Sequence, residues 1–182
     1  HICTDSRNIK SGGIFFALSG EHFNGNKFAL EAINKGCSFA VIDDKRYNSK
    51  PNTILVENVL KTLQDLAKIH REKLTIPVIG ITGTNGKTTS KELIKNVLKS
   101  CMNCYATKGN LNNHIGVPLS ILEIKEVHEI AIIEMGASHQ KEIEFLCNIA
   151  NPTHGAITNI GSAHLEGFGN LQGVINTTKE LY

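Results

Sequence analysis

Ile79-Gly80-Ile81-Thr82-Gly83-Thr84-Asn85-Gly86-Lys87-Thr88-Thr89 is an apolar strand that runs into a glycine-rich turn and ends in Gly-Lys-Thr at the start of a helix. Glycines let the backbone curl until successive amide N–H groups point inward, and the helix that follows presents its positive dipole end to the same place. A phosphate is the ligand that such a turn suits. Lys87 adds an ammonium for terminal phosphates and Thr88 a hydroxyl for Mg²⁺. Gly83, Thr84, Asn85, Gly86, Lys87, Thr88 and Thr89 are therefore the expected nucleotide-binding residues. The spacing departs from the general pattern at one point, because Ile81 stands where a glycine is usual. The context supports the reading nonetheless. Pro77 to Ile81 has the look of a buried strand, and Leu93, Ile94, Val97, Leu98 and Cys101 recur at helical spacing behind the loop.

The chain around this motif has 182 residues, enough for one or two domains with a core of their own. With 41% hydrophobic residues, 20% charged residues and a net charge of +2, neither a disordered chain nor a polyanion-binding surface is indicated, so nucleic acid is excluded as the expected partner. The five cysteines, Cys3, Cys37, Cys101, Cys104 and Cys147, are odd in number and scattered, which fits a reducing compartment and burial as small apolar groups. Cys101 and Cys104 have CxxC spacing, but no second ligand pair accompanies them. No run approaches the ~20 apolar residues that span a bilayer, and no basic-then-apolar leader is present, so a cytoplasmic protein without membrane insertion is expected. The chain opens at His1 and stops at Tyr182 inside a predicted helix, as expected of a piece of something longer.

The order of elements predicts an α/β protein. Ile14–Leu18, Phe39–Ile42 and Thr53–Val56 read as strands; Phe28, Ala29, Ala32 and Ile33 mark one helix face, and Val59, Leu60, Leu63, Leu66 and Ala67 another. A boundary is expected near residue 75, before Ile76-Pro77, giving a small α/β domain over 1–75 and a second domain over 76–182. The second alternates strictly: strand, phosphate loop, helix, strand at 103–107, helix from about His114, strand at 129–135, helix from about Gln140, strand at 155–158 and helix from about Asn170. Such alternation means a parallel sheet covered on both faces, with ligands at the carboxyl ends of its strands. The loops after residues 82, 107, 135 and 158 are then expected on one rim.

Each of those loops carries unusual polar residues. Glu134 closes the apolar run Ile130-Ala131-Ile132-Ile133, where a carboxylate is costly unless it meets a cation or donors. A salt bridge or a helix cap would serve, but the phosphate loop nearby favours a Mg²⁺ ligand. His164, just past the last strand, is either a surface residue or a partner of Glu134 at the rim. Asn110, Asn112 and Asn113 precede a helix; one of them can cap it, and three together suit an oxygen-rich ligand. Asp5-Ser6-Arg7 is either a plain turn or an anion contact through Ser6 and Arg7.

Taken together these segments resemble the ATP-dependent Mur ligases of peptidoglycan synthesis. The likeness spans almost the whole chain: Asp5-Ser6-Arg7, Phe15 to Gly20 with Phe23-Asn24-Gly25, Gly83 to Thr89, Asn110 to Pro118, Glu134-Met135-Gly136-Ala137, and Asn159-Ile160-Gly161 with Ala163 to Glu166. Glu134-Met135-Gly136 and the amide-rich Asn112 to Pro118 resemble the branch that adds D-alanyl-D-alanine to UDP-MurNAc-tripeptide, rather than the neighbouring branch that acts on the dipeptide. The resemblance implies a UDP-sugar-binding domain up to about residue 75, followed by the first part of a central ATP-binding, P-loop domain. It implies ATP and Mg²⁺ as cofactors, and UDP-MurNAc-tripeptide and D-alanyl-D-alanine as substrates joined through an acyl phosphate. Carried over by position, Lys87 and His164 are catalytic, Thr88 and Glu134 hold one Mg²⁺, His164 contacts a second, and Ser6, Arg7, Asn112 and Asn113 bind substrate.

Two departures limit what is carried over. The family places a lysine, often carbamoylated into a metal-binding carboxylate, four residues before an aromatic in the helix after the histidine loop. Counting back from Tyr182, that position is Thr178. Lys179 is adjacent, but one step on a helix turns a side chain by about 100°. Either the helix register shifts or the second metal site lacks its usual partner, and the second is expected. The other departure is the absence of the family's later domains, which implies a piece that binds nucleotide or UDP-sugar without ligating. A ligase of the dipeptide-using branch and a non-catalytic binding module remain the alternatives.

Overall fold

Short apolar strands separated by amphipathic helices can bury both faces of a parallel sheet, and this chain does so twice. The computed structural model describes residues 1–49, 51–161 and 165–182, with the side chain of Leu165 excepted. Two compact units result, His1–Asp65 and Leu66–Tyr182.

In the first unit, β1 (Ile2–Cys3), β2 (Ile14–Phe16), β5 (Phe39–Ile42) and β6 (Thr53–Leu55) form a parallel sheet in the order β1-β2-β5-β6. A small antiparallel hairpin, β3 (Ser19–Gly20) and β4 (Phe23–Asn24), follows β2. Helix α1 (Ala29–Asn34) covers the sheet with Ala29 and Ala32 against Phe15, Ala40 and Ile42. Buried Asn26 pins the turn before α1 to the end of β5: its Nδ2 donates to Asp43 Oδ1 at 2.8 Å, and its Oδ1 accepts from the Asp43 N–H at 3.0 Å.

The second unit holds β7 (Val78–Thr82), β8 (Cys104–Ala106), β9 (Ile130–Glu134) and β10 (His154–Ile157), all parallel, in the order β10-β7-β9-β8. From β7 the chain crosses to β8 on one side, and from β9 it returns past β7 to β10 on the other. The two central strands therefore send their connections in opposite directions, which opens a crevice at their carboxyl ends. Register brings those ends level: Ile81 is opposite both Glu134 and Ala156.

Alternation along β9 divides the two layers of core. Ala131, Ile133 and Met135 face the cluster that includes Val117 and Ile121 of α4 (Gly116–Leu122) and Ile143, Leu146 and Ile149 of α5 (Glu142–Ala150). Ile130 and Ile132 face the other way, with Ile81 and Ala106, against Ile94 and Leu98 of α3 (Lys87–Leu98). The inward face of α3 is thus Lys91, Ile94 and Leu98. Leu93 and Val97, expected among the inward residues, are exposed at 62% and 71%, because they sit six and ten positions beyond Lys87, off the face that starts there. Cys101 is exposed as well, whereas Cys3, Cys37 and Cys104 are buried and all five thiols are free.

The boundary expected near residue 75 falls after the end of α2 (Val59–Lys73), while the packing divides the chain inside that helix. Ala67 and Arg71, both past the division, belong to the second unit. The buried guanidinium of Arg71 donates to the carbonyls of Ala150 at 2.9 Å, Asn151 at 3.0 Å and Leu74 at 2.8 Å, closing the end of α5. A short helix, α6 (Leu165–Phe168), precedes α7 (Leu171–Lys179), whose first turn is capped by Asn170 Oδ1 accepting from Gly173 N–H. Among the described residues, no helix is long and apolar enough to cross a membrane. Arg71→Met is expected to lower unfolding stability by about 2–3 kcal/mol, since it strands buried carbonyls; urea denaturation measures it.

Candidate functional site

The turn after β7 holds its shape through two glycines in the left-handed half of backbone space, Gly83 at φ +132° and Gly86 at φ +76°. At Gly83 a Cβ would also collide with Thr158 Oγ1 and the Asn159 backbone, so glycine is required twice over. The loop after β10 laces the turn in place. Thr84 N–H donates to Asn159 O at 3.1 Å, and Asn85 N–H donates to Asn159 Oδ1 at 2.9 Å. Thr158 Oγ1 donates to Asn85 O at 2.6 Å, and Gly161 N–H donates to Thr84 Oγ1 at 2.9 Å. Lys87, the first residue of α3, folds back over the turn and donates to the carbonyls of Gly83 at 2.6 Å and Thr84 at 3.2 Å. Burial pushes its ammonium below the ordinary lysine value, and the charge of Glu134 opposes that shift.

Glu134 lies on the α3 side of β9, as the alternation with Ile130 and Ile132 dictates. Its carboxylate is almost fully buried. Thr88 Oγ1 donates to it, 3.0 Å from Oε2 and 3.2 Å from Oε1. Asn112 Nδ2 donates to Oε1 at 2.9 Å, and Lys91 Nζ stands 3.4 Å from Oε2. The backbone N–H of Glu134 donates to Thr107 Oγ1 at 3.0 Å. A buried carboxylate so surrounded is tolerable; removing a charged partner from such a pair typically costs about 3–5 kcal/mol.

Of the residues expected at the rim, Lys87, Asn112 and Asn113 come together. Lys87, Asn112, Asn113, Gly136, Ser138 and Glu142 line parts of one cavity of about 350 Å³. Asn113 is the capping asparagine: its Oδ1 accepts from the N–H groups of Ile115 and Gly116 as α4 begins. Thr89 is exposed on the first turn of α3. In the first unit, the exposed Arg7 is clamped by Asp5, with Nε and Nη2 both 2.9 Å from carboxylate oxygens, and Arg7 beside it holds the Asp5 carboxyl down at about 2. Asp44 clamps Arg46 in the same way, so the clamp alone is turn chemistry. Ser6 is buried, and its carbonyl accepts from Lys35 Nζ at 3.0 Å. His164 lies outside the described residues. Thr178 lines a small second cavity with Gly83, Thr84 and Lys87, its hydroxyl donating to Val174 O at 2.7 Å, while Lys179 is exposed.

Lys91, Thr107 and Thr158 take part without having been expected. Lys91 had a signal: it is four residues after Lys87 and three after Thr88, on the face those residues begin. For the two threonines, one-residue hydroxyl contacts left no pattern to read. Among the described residues no group of three His, Cys, Asp or Glu side chains could hold a metal ion. The Thr88 hydroxyl and Glu134 carboxylate still fit Mg²⁺, which favours oxygen donors and takes one or two carboxylates with phosphates supplying the rest.

Residues 81–182 match the model of the Mur ligase middle domain, and residues 1–77 match the Mur ligase family, catalytic domain. The chain belongs to the Mur ligase family. A Mur ligase from Synechocystis sp., named UDP-N-acetylmuramoyl-tripeptide--D-alanyl-D-alanine ligase, is 42% identical over all of this chain and 40% of its own length. Among solved structures, MurF from Acinetobacter baumannii superposes with a TM-score of 0.93 at 37% identity, covering 100% of this chain and 40% of that one. MurF ligase from Thermotoga maritima in complex with ADP gives 0.89 at 36%, covering 99% and 42%. The chain thus spans about two-fifths of the length of the Mur ligases it matches.

Gly83→Ala is expected to lower nucleotide affinity by at least about tenfold, because the turn can close only without a Cβ. Lys87→Ala is expected to abolish measurable ATP binding. Calorimetric titration with ATP reads both, and unchanged affinity in the Lys87 variant would contradict the assigned cradle.

Proposed function

We propose that this chain forms the UDP-sugar-binding and first nucleotide-binding parts of an ATP-dependent ligase that joins D-alanyl-D-alanine to UDP-MurNAc-tripeptide. The observation that carries this reading is the Thr88 hydroxyl resting on the buried Glu134 carboxylate at the head of the phosphate turn. Such a pair, at the start of the helix that follows the glycine turn, suits Mg²⁺·ATP. The named relatives supply the substrate class.

In this reading, residues up to about 75 hold the UDP-sugar end, with Ser6 and Arg7 among the contacts. The turn from Gly83 to Thr89 holds the nucleotide phosphates, and Lys87 turns from the Gly83 and Thr84 carbonyls to the γ-phosphate. Mg²⁺ at Thr88 and Glu134 would neutralise charge on the transferring phosphoryl group. Asn112 and Asn113 lie near the phosphates or the substrate, and His164 keeps the role that the family resemblance implies, contact with a second Mg²⁺. Attack by the amino group of D-alanyl-D-alanine on the resulting acyl phosphate then forms the amide and releases phosphate.

A second reading rests on Thr178. A threonine with its hydroxyl donating to Val174 O occupies the position where the family resemblance implies a metal-binding lysine, and Lys179 points to solvent. That observation favours a module that binds nucleotide and UDP-sugar but has lost ligation.

Calorimetric titration with UDP-MurNAc-tripeptide, against UDP-MurNAc-dipeptide as comparison, tests the substrate assignment. Tighter binding of the tripeptide is expected. Preference for the dipeptide would move the chain to the neighbouring branch of the family.

A further inference from the structure

Lys91 is a fully enclosed lysine that the proposed reaction does not use. Its side chain has no solvent exposure, in a helix whose neighbouring Leu93 and Val97 lie in water. An ammonium buried to this extent is unfavourable unless several acceptors hold it. Three groups do. Glu134 Oε2 is 3.4 Å away, the Gly109 carbonyl 3.3 Å, and Glu92 Oε1 3.5 Å. These come from the end of β9, from the loop after β8 and from α3 itself, so one nitrogen joins three pieces of backbone next to the carboxylate that the Thr88 hydroxyl contacts.

The geometry divides the work around Glu134. Asn112 fixes Oε1 from the side of the loop after β8, and Lys91 stands by Oε2 from the core. With both oxygens held, the carboxylate presents one fixed orientation to Thr88, whose hydroxyl proton it accepts. The hydroxyl lone pairs are then left for a cation on the nucleotide side. The Lys91 bond to Gly109 steadies the same loop that carries Asn112, whose own backbone carbonyl accepts from Gly136 N–H at 2.8 Å.

We propose that Lys91 is a positioning residue for the metal side of the site. From beneath, it locks Glu134 and the 107–113 loop so that Thr88 and Glu134 meet Mg²⁺ already aligned. This inference rests on the reading of the site as one for Mg²⁺ and a nucleotide. Lys91 touches neither; it acts through Glu134. Its signature is therefore the coupling between metal and nucleotide, and not nucleotide affinity as such.

The test is calorimetric titration of this chain with ADP, with and without Mg²⁺, in the wild type and in Lys91→Gln and Lys91→Met. Glutamine keeps a donor for the Gly109 carbonyl without the charge, and urea denaturation of both variants confirms that they fold. In the wild type, Mg²⁺ is expected to raise ADP affinity by on the order of tenfold or more. In Lys91→Gln that factor is expected to fall close to one, while affinity without Mg²⁺ stays within about twofold. Lys95→Met, on the same helix but paired only with Glu92 among the described contacts, is expected to keep the wild-type factor. Equal losses with and without Mg²⁺ would make Lys91 a purely structural residue and overturn the proposal. An unchanged or increased coupling factor would overturn it too, the latter by showing that the lysine competes with the metal. A wild type that binds no ADP under either condition would overturn the nucleotide-site reading itself, and this inference with it.

Discussion

A carboxylate at the end of a buried strand is the constraint around which the second unit is arranged. Glu134 cannot be left in the core without partners, and they come from two elements: Thr88 and Lys91 from α3 and Asn112 from the loop after β8, while Thr107, just past β8, accepts from the Glu134 backbone N–H. Satisfying one buried charge therefore fixes α3 against β9 and closes the loop after β8 over the same place. The energetic cost of the burial is offset by the same contacts that set Thr88, the second residue of α3, beside the glycine turn.

The phosphate turn is held from the opposite side. Thr158, Asn159 and Gly161 bind the backbone and hydroxyl groups of Thr84 and Asn85, so the turn lies between the loop after β10 and the carboxylate of β9. This follows from strand order. β7 sits between β9 and β10, and in an open parallel sheet the loops of neighbouring strands with divergent connections must border one crevice. The bonds to Thr158 and Asn159 hold the turn in shape without a ligand, and Lys87 donates to the carbonyls of Gly83 and Thr84 from its other end.

Much of this was legible in the sequence, and the reasons differ by residue. The strand, glycine turn and helix over 79–98 carry a pattern fixed by local sterics, so they could be read directly. Glu134 stood out because a lone carboxylate closes an apolar run, and parity along that run assigns it to the face of Ile130 and Ile132. The family resemblance rested on the order of several short segments, which no single segment could supply. Lys91 was not read because two apolar residues of α3 suggested the wrong face: Leu93 and Val97 look like core and are not, while the lysine one turn before Ile94, on its face, is buried. The inward turn of Arg71 was hidden for a related reason. A run of charges at 70–73 suggests a solvated stretch, but Arg71 is drawn inside by three carbonyl groups that only the folded chain brings together.

The account depends on Thr88 and Glu134 forming the metal side of a nucleotide site, and a crystal structure of the chain with ADP and Mn²⁺ in place of Mg²⁺ addresses that most directly. The anomalous signal of the manganese is expected about 2.1–2.3 Å from Thr88 Oγ1, with Glu134 beside it directly or through one water and the phosphates along Gly83 to Thr89. Phosphates bound elsewhere, or a metal out of reach of both side chains, would contradict it.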